Sequence, residues 1–332
     1  MLVRRSLALL VGLPGLALAL EFQSLRGCCL WLWLLTLAAL LATSRCRLRP
    51  AVVVFCCGVL GFTLASPGGT GQTGGVRSTL PGWWRWSPLN WVSEGEWSEL
   101  GVHLLFANQA ERILGNSRPL YERQGEGLAH TTTLTALDLL GAGAGPEHFF
   151  YYAPEGPPRP LLVFLHGAWG NLQCYAEFWR EFGERHGYAV ICPTFGFGFW
   201  NRADGLERAR RAYEFAQREL PVLPGPALWV GLSNGAMGAV RIARHYPRLV
   251  DQLVLISPVL EPDQVGGLTL SPLVISGGRD SITRPSEVQR GVEAMKQAGL
   301  EPRLRWFPDG DHFLMFQARE AVFQEVAPGR GL

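Results

Sequence analysis

From about His130 onward, short β-branched or aromatic runs alternate with longer amphipathic stretches, and this alternation constrains the fold more than any other feature of the chain. The runs 130–136, 149–153, 161–165, 189–192, 227–231, 252–257, 273–276 and 303–307 read as strands. The stretches 174–186, 206–220, 235–246, 286–298 and 313–325 read as helices. Such a rhythm builds a mostly parallel sheet with covering helices, so the expectation is one α/β domain over residues 130–332 with eight strands.

The run 227–231 ends in a turn that carries the chemistry. Gly231, Ser233 and Gly235 form a Gly-x-Ser-x-Gly pattern between a strand and an amphipathic helix, where larger neighbours would collide with both elements. A serine hydroxyl is a poor nucleophile at neutral pH and needs a base, commonly an imidazole held by a carboxylate. Asp280 follows the strand 273–276 and His312 follows the strand 303–307, so each sits at a carboxyl strand end. The candidate catalytic residues are therefore Ser233, Asp280 and His312. Two backbone N–H groups are expected to hold the oxyanion, from Asn234 after the nucleophile and from Ala168 in the loop after 161–165, with Trp169 as the alternative to Ala168. His166, at the end of that strand, is expected to shape the loop through hydrogen bonds. Trp169, Phe195, Phe197, Phe199 and Trp200 are candidates for an apolar substrate surface near the same sheet edge.

The segments HGAWGN, GLSNGAMG, GGRD and DGDH, in this order, resemble the α/β-hydrolase family over about residues 145–326. The resemblance implies a Ser-Asp-His triad on a twisted, mostly parallel sheet flanked by helices, an acyl-enzyme mechanism and no cofactor. The Ser-Asn-Gly-Ala elbow is similar to that of polyhydroxybutyrate depolymerase and feruloyl esterase-type enzymes, and more distantly to prolyl-oligopeptidase-like hydrolases. One departure from many members is the segment between about 257 and 273, too short for a substantial helical lid. An open or shallow site is expected.

Ahead of this domain lie three apolar runs, 6–20, 27–43 and 50–66, with no charge inside any of them. Each is about 15 to 18 residues, at or just under the roughly 17 to 25 of a spanning helix, and residues 1–66 read as a membrane region of two or three transmembrane helices. Arg4 and Arg5 precede the first run, and Arg45, Arg47 and Arg49 crowd the loop before the third, which places those segments in the cytoplasm and everything after Ser66 outside. Ala17-Leu18-Ala19 also matches a signal-peptidase site; cleavage there would leave a hairpin with both ends outside, and the same side for the domain. Residues 67–80, rich in Gly, Ser and Thr, read as a flexible tether. Residues 81–129 form a lead-in with a tryptophan cluster (Trp83, Trp84, Trp86, Trp91, Trp97) that either meets lipid headgroups or packs into the domain. In it, Ser93 and Glu96 have capping-box spacing ahead of a helix over about 96–113.

A net charge of +2 with no charge block argues against nucleic acid as a partner. No metal-ligand spacing is present. Of seven cysteines, Cys174 and Cys192 fall in the α/β domain, as a disulfide or as two separately buried thiols. The expected activity is that of a membrane-tethered serine hydrolase cleaving carboxylic esters, small or lipid-like, outside the cytoplasm. A peptidase or thioesterase of the same fold and a non-catalytic binding module are the alternatives, because the triad serves amides and thioesters and fold alone does not establish function.

Overall fold

Leu161–Leu165 is apolar at every position, has no polar face to offer solvent, and is buried along its whole length. It is a central strand of an eight-stranded sheet. The structure, a computed structural model, describes residues 74–78, 87, 90, 92–123, 131–139, 147–196 and 200–327. The three N-terminal apolar runs, most of the 67–80 stretch, and Trp83, Trp84, Trp86 and Trp91 lie outside the described residues. Among the described residues, no helix is long and apolar enough to cross a membrane.

In chain order the strands are β1 (Gly74–Arg77), β2 (Phe149–Tyr152), β3 (Leu161–Leu165), β4 (Ala189–Pro193), β5 (Ala227–Leu232), β6 (Val250–Ile256), β7 (Leu273–Gly277) and β8 (Arg303–Phe307). Their spatial order is β1-β2-β4-β3-β5-β6-β7-β8. The pairs β1–β2 and β2–β4 are antiparallel and the remainder parallel. The helices are α1 (Glu94–Leu105), α2 (Ala110–Glu122), α3 (Thr132–Leu139), α4 (Gln173–His186), α5 (Ala203–Glu219), α6 (Asn234–His245), α7 (Pro285–Gln297), α8 (Leu314–Gln317) and α9 (Arg319–Val326).

The described residues fall into two compact units, one within Pro81–Ala110 and Ala129–Thr133, the other within Thr70–Leu80, Glu111–Leu128 and Leu134–Leu332. In the smaller unit the capping box forms as its spacing predicts. The Ser93 hydroxyl accepts the Glu96 N–H at 3.2 Å and Glu96 Oε2 accepts the Ser93 N–H at 2.8 Å. The helix it starts ends at Leu105 rather than near 113, and a 3₁₀ turn at Ala107–Gln109 separates it from α2.

In the larger unit, strand alternation sends successive side chains to opposite faces of the sheet. Leu161, Val163 and Leu165 enter a core with Trp200, Trp229 and the buried sides of α5, α6 and α7. Leu162 and Phe164 enter the opposite core, with Phe178, Trp179 and Phe182 of α4 and Phe323 of α9. Each such fully buried side chain contributes about 1.5–3 kcal/mol of transfer free energy. Burial on both faces makes the sheet a rigid base. Because β3 to β8 run parallel, the loops after β3, β5, β7 and β8 all leave from one edge.

Three expectations fail in instructive ways. The threonine-rich run 130–136 is not a strand; Thr132–Leu139 is helical. Asn90 Oδ1 accepts the N–H of Thr133 at 2.8 Å and the Thr132 hydroxyl donates to the Val92 carbonyl at 3.0 Å, so tertiary partners at the helix start override β-branched propensity. The eighth strand is instead β1, inside the stretch read as a tether, and it pairs with β2 as an antiparallel edge. The helix expected over 313–325 breaks at Ala318 into α8 and α9. Between β6 and β7 only a 3₁₀ turn, Pro262–Gln264, interrupts the loop, so no helical lid arises there.

Candidate active site

Ser233 occupies the turn between β5 and α6 with φ 54° and ψ −118°, a left-handed conformation that a side-chain-bearing residue adopts only when its surroundings hold it. Those surroundings are specific. The Ser233 N–H donates to the Ile256 carbonyl at 2.9 Å, and the Ser233 carbonyl accepts the N–H groups of Ala236 at 3.0 Å and Val259 at 3.2 Å. A Cβ on Gly231 would collide with the Gly235 carbonyl and Ala236 backbone, and one on Gly235 with the Leu165 carbonyl. The two glycines thus let α6 start directly against β5 and the end of β3.

Asp280 and His312 are brought together by a second close approach. A Cβ on Gly277 would strike the Gly310 backbone, and one on Gly278 the Pro308 carbonyl. With both absent, the Gly278 N–H reaches the Phe307 carbonyl at 2.8 Å and the Arg279 N–H the Gly310 carbonyl at 2.9 Å, joining the loops after β7 and β8. His312 Nδ1 then lies 2.9 Å from Asp280 Oδ2, and His312 Nε2 lies 3.1 Å from Ser233 Oγ. Asp280 is further held by Thr283, whose hydroxyl donates to Oδ2 at 2.6 Å and whose N–H donates to Oδ1 at 2.8 Å, and by the Ile282 N–H at 2.9 Å. Burial pushes the Asp280 carboxyl up, but the hydrogen bond and charge of His312 and the two Thr283 donors outweigh it, leaving it below the usual carboxylate value. Next to His312 in sequence, buried Asp311 accepts the Phe313 N–H at 2.8 Å and pairs with Arg112 of α2. The ion pair anchors the loop that carries His312.

The histidine of the first motif is fully buried. His166 Nε2 accepts the Phe195 N–H at 3.0 Å, which leaves Nδ1 as the donor to the Gly167 carbonyl at 2.7 Å. Burial lowers its pKa to about 4, so the ring is neutral at physiological pH. The expected loop-shaping role fits this geometry.

A cavity of about 60 Å³ opens at Ser233 and His312. Ala168 and Trp169 line it, and Trp169 is 41% exposed at its rim. Asn234 starts α6, where the first N–H groups have no acceptor within the helix. Two expected substrate contacts are corrected. Trp200 is 0% exposed, with its ring against His166 and its indole N–H on the His166 carbonyl at 2.9 Å. Phe195 packs on Trp200 and against Gly205 rather than lining the cavity. Phe197 and Phe199 lie outside the described residues. The apolar wall comes instead from Tyr175, Leu232, Ile282, Phe313, Met315 and Phe316. Leu232 lies inside the GLSNGAMG segment, and Ile282, Phe313, Met315 and Phe316 lie within four residues after GGRD and DGDH, so the neighbours of Ser233, Asp280 and His312 carried the signal. Cys174 and Cys192 are both buried free thiols, and burial pushes the Cys192 thiol well up.

Residues 162–276 match the model of the alpha/beta hydrolase family. That segment is similar to the α/β-hydrolase family, and the eight-stranded, mostly parallel sheet around it fits the fold. The family match includes Ser233 and ends before Asp280 and His312. The chain is 30% identical to a pimeloyl-[acyl-carrier protein] methyl ester esterase of Pectobacterium carotovorum over 159 residues, 46% of this chain and 58% of that protein. It is also 30% identical to an esterase of Mycobacterium tuberculosis over 101 residues, 30% of this chain and 34% of that protein. The chain thus spans between about a third and three fifths of the length of these curated relatives. Among solved structures, the S-formylglutathione hydrolase of Staphylococcus aureus is similar at 15% identity, with 54% of this chain and 92% of that chain covered and a TM-score of 0.46.

Proposed function

We propose that this protein is a membrane-anchored serine hydrolase that cleaves carboxylic esters through an acyl-enzyme intermediate. The observation that carries the reading is the unbroken hydrogen-bonded series from Ser233 Oγ through His312 to Asp280. Ser233 attacks the ester carbonyl while His312 Nε2 takes its proton, and the imidazolium is held by the Asp280 carboxylate at Nδ1. The tetrahedral oxyanion sits against the N–H groups of Asn234 and Ala168, helped by the positive end of α6. As the intermediate collapses, the proton on Nε2 passes to the leaving alkoxide, which departs as the alcohol and leaves Ser233 acylated. Water then enters, gives a proton to His312 and attacks the acyl carbonyl; return of that proton to Ser233 Oγ releases the carboxylic acid.

The esterase names of the two partial relatives support esters over amides. Apart from Ser233 and His312, the cavity lining is apolar or aromatic and carries no charged side chain, which suits a neutral acyl group. Three apolar runs and the arginines around them support a multi-pass membrane region with the hydrolase domain on the extracytoplasmic side.

Labelling of the detergent-solubilised protein with a fluorophosphonate probe, followed by turnover of short nitrophenyl esters, tests the chemistry. Wild type should label and turn over, and Ser233→Ala should do neither. Full turnover by Ser233→Ala, or consistent failure of the folded wild type to label, would remove the reading. Protease protection tests the topology separately, with cleavage of the hydrolase domain from the outer side as the expected result.

A further inference from the structure

Asp138 of α3 stands outside the catalytic series, and its carboxyl is only 5% exposed. Its Oδ2 accepts the Gly196 N–H at 2.6 Å, and Arg208 of α5 approaches Oδ1 at 4.0 Å. The same Arg208 donates to the Thr194 carbonyl at 3.4 Å, and the Thr194 N–H donates to the His148 carbonyl at 3.0 Å. The three residues after β4 are therefore gripped at both ends. Burial raises the Asp138 pKa to about 6, so holding a carboxylate here at neutral pH is unfavourable. An acidic group kept at such a cost calls for a reason in what the loop does.

The loop's middle residue connects it to the candidate oxyanion site. Phe195 gives its N–H to His166 Nε2, which fixes the ring's proton on Nδ1 and sends that proton to the Gly167 carbonyl. The Gly167–Ala168 peptide is trans, so the Gly167 carbonyl and the Ala168 N–H share one plane and point in opposite directions. Fixing the carbonyl fixes the direction of the N–H. A Cβ on Gly167 would touch Ser233 Cβ at 3.3 Å, so this peptide lies directly against the nucleophile.

We propose that Asp138 is a positioning residue for the oxyanion site, acting through Gly196, Phe195 and His166 on the peptide plane that carries the Ala168 N–H. The inference rests on the serine-hydrolase reading above. Removal of an oxyanion donor costs about 10²–10³ in kcat, and loosening one should cost less, about tenfold to a hundredfold. Because the donor acts chiefly on the transition state, the loss belongs in kcat and not in KM.

The experiment compares wild type, Asp138→Ala and Asp138→Asn as full-length, detergent-solubilised protein, with thermal melts to confirm folding. Asp138→Ala should lose about tenfold to a hundredfold in kcat on a short nitrophenyl ester, with KM within about twofold. Asp138→Asn should recover most of the loss, because an amide oxygen can still accept the Gly196 N–H. If the alanine variant fails to fold, Asp138→Ser, whose hydroxyl falls short of Gly196, should give the same loss confined to kcat. Wild-type kcat in a folded alanine or serine variant, a loss expressed in KM, or no recovery with asparagine would overturn the assignment and leave the esterase reading intact. Wild type that neither labels nor turns over would sink the esterase reading, and this assignment with it.

Discussion

His312 Nδ1 lies 2.9 Å from Asp280 Oδ2, and the same carboxylate oxygen accepts the Thr283 hydroxyl at 2.6 Å. The Asp280 carboxylate is thus held by Thr283 as well as by His312. Asparagine at 280 presents either an amide oxygen or an NH₂ to His312, and in the second arrangement the imidazole proton moves to Nε2, where it can no longer accept from Ser233. Asp280→Asn is expected to lower kcat about 10³- to 10⁴-fold on a nitrophenyl ester. A loss below about tenfold would mean that another group orients His312.

Asp280 also ties stability to pH. Its folded pKa is depressed below the unfolded value of 3.8, so its stabilising contribution is present above that value and is lost as pH falls through the folded pKa. Thr283→Val removes the hydroxyl donor and weakens the depression. The variant should be about 1–2 kcal/mol less stable than wild type at pH 7, and the gap should narrow in strong acid, where the carboxyl is protonated in both proteins. Chemical denaturation at a series of pH values checks this; a gap independent of pH would contradict the charged role of the Thr283 bond.

The elbow and the two post-strand loops were legible because their chemistry needs small residues at fixed offsets. Gly231, Gly235, Gly277 and Gly278 each stand where a Cβ would meet backbone, and sequence displays such requirements openly. The aromatic run after β4 was not legible in the same way. Phe195 and Trp200 have the composition of a binding surface, yet Trp200 packs on His166 and Phe195 packs on Trp200, and composition does not reveal which side of a loop a ring takes. The threonines of 132–135 suggest a strand until Asn90, some forty residues earlier, supplies the acceptor for a helix start. The edge strand β1 is short and glycine-rich, and only its pairing with β2 makes it a strand.

Asp138 has the opposite linkage to Asp280. Its folded pKa of about 6 lies above the unfolded 3.8, so its contribution is most favourable below pH 3.8 and is lost as pH rises through about 6. Asp138→Asn should therefore be more stable than wild type at pH 8, by up to about 3 kcal/mol, with the advantage shrinking as pH falls below about 6. Equal stability of the two proteins at pH 8 would show that the carboxylate is better compensated than its burial implies.

Gly235→Ala puts a methyl group onto the Leu165 carbonyl, part of the buried sheet backbone. Backbone at the end of a central strand cannot yield cheaply, so the variant should lose about 3 kcal/mol or more and drop the elbow out of register. Soluble expression and a thermal melt read the first effect, and the rate of fluorophosphonate labelling at Ser233 reads the second. A stable variant that labels at the wild-type rate would mean that α6 does not need this close approach.

Trp169 and Trp200 separate binding from packing within one site. Trp200 is 0% exposed and its indole N–H holds the His166 carbonyl, so Trp200→Ala removes both a core side chain and a hydrogen bond beneath the first motif. It should cost about 3–5 kcal/mol of stability. Trp169 is 41% exposed and lines the cavity, so Trp169→Ala should change stability by less than about 1 kcal/mol while shifting KM among esters of increasing acyl size. The decisive comparison is the pair of variants measured side by side. If Trp169→Ala destabilised the fold as much as Trp200→Ala and left KM unchanged, the cavity wall at Trp169 would be structural, and the ester would have to be held by the Tyr175, Met315 and Phe316 side alone.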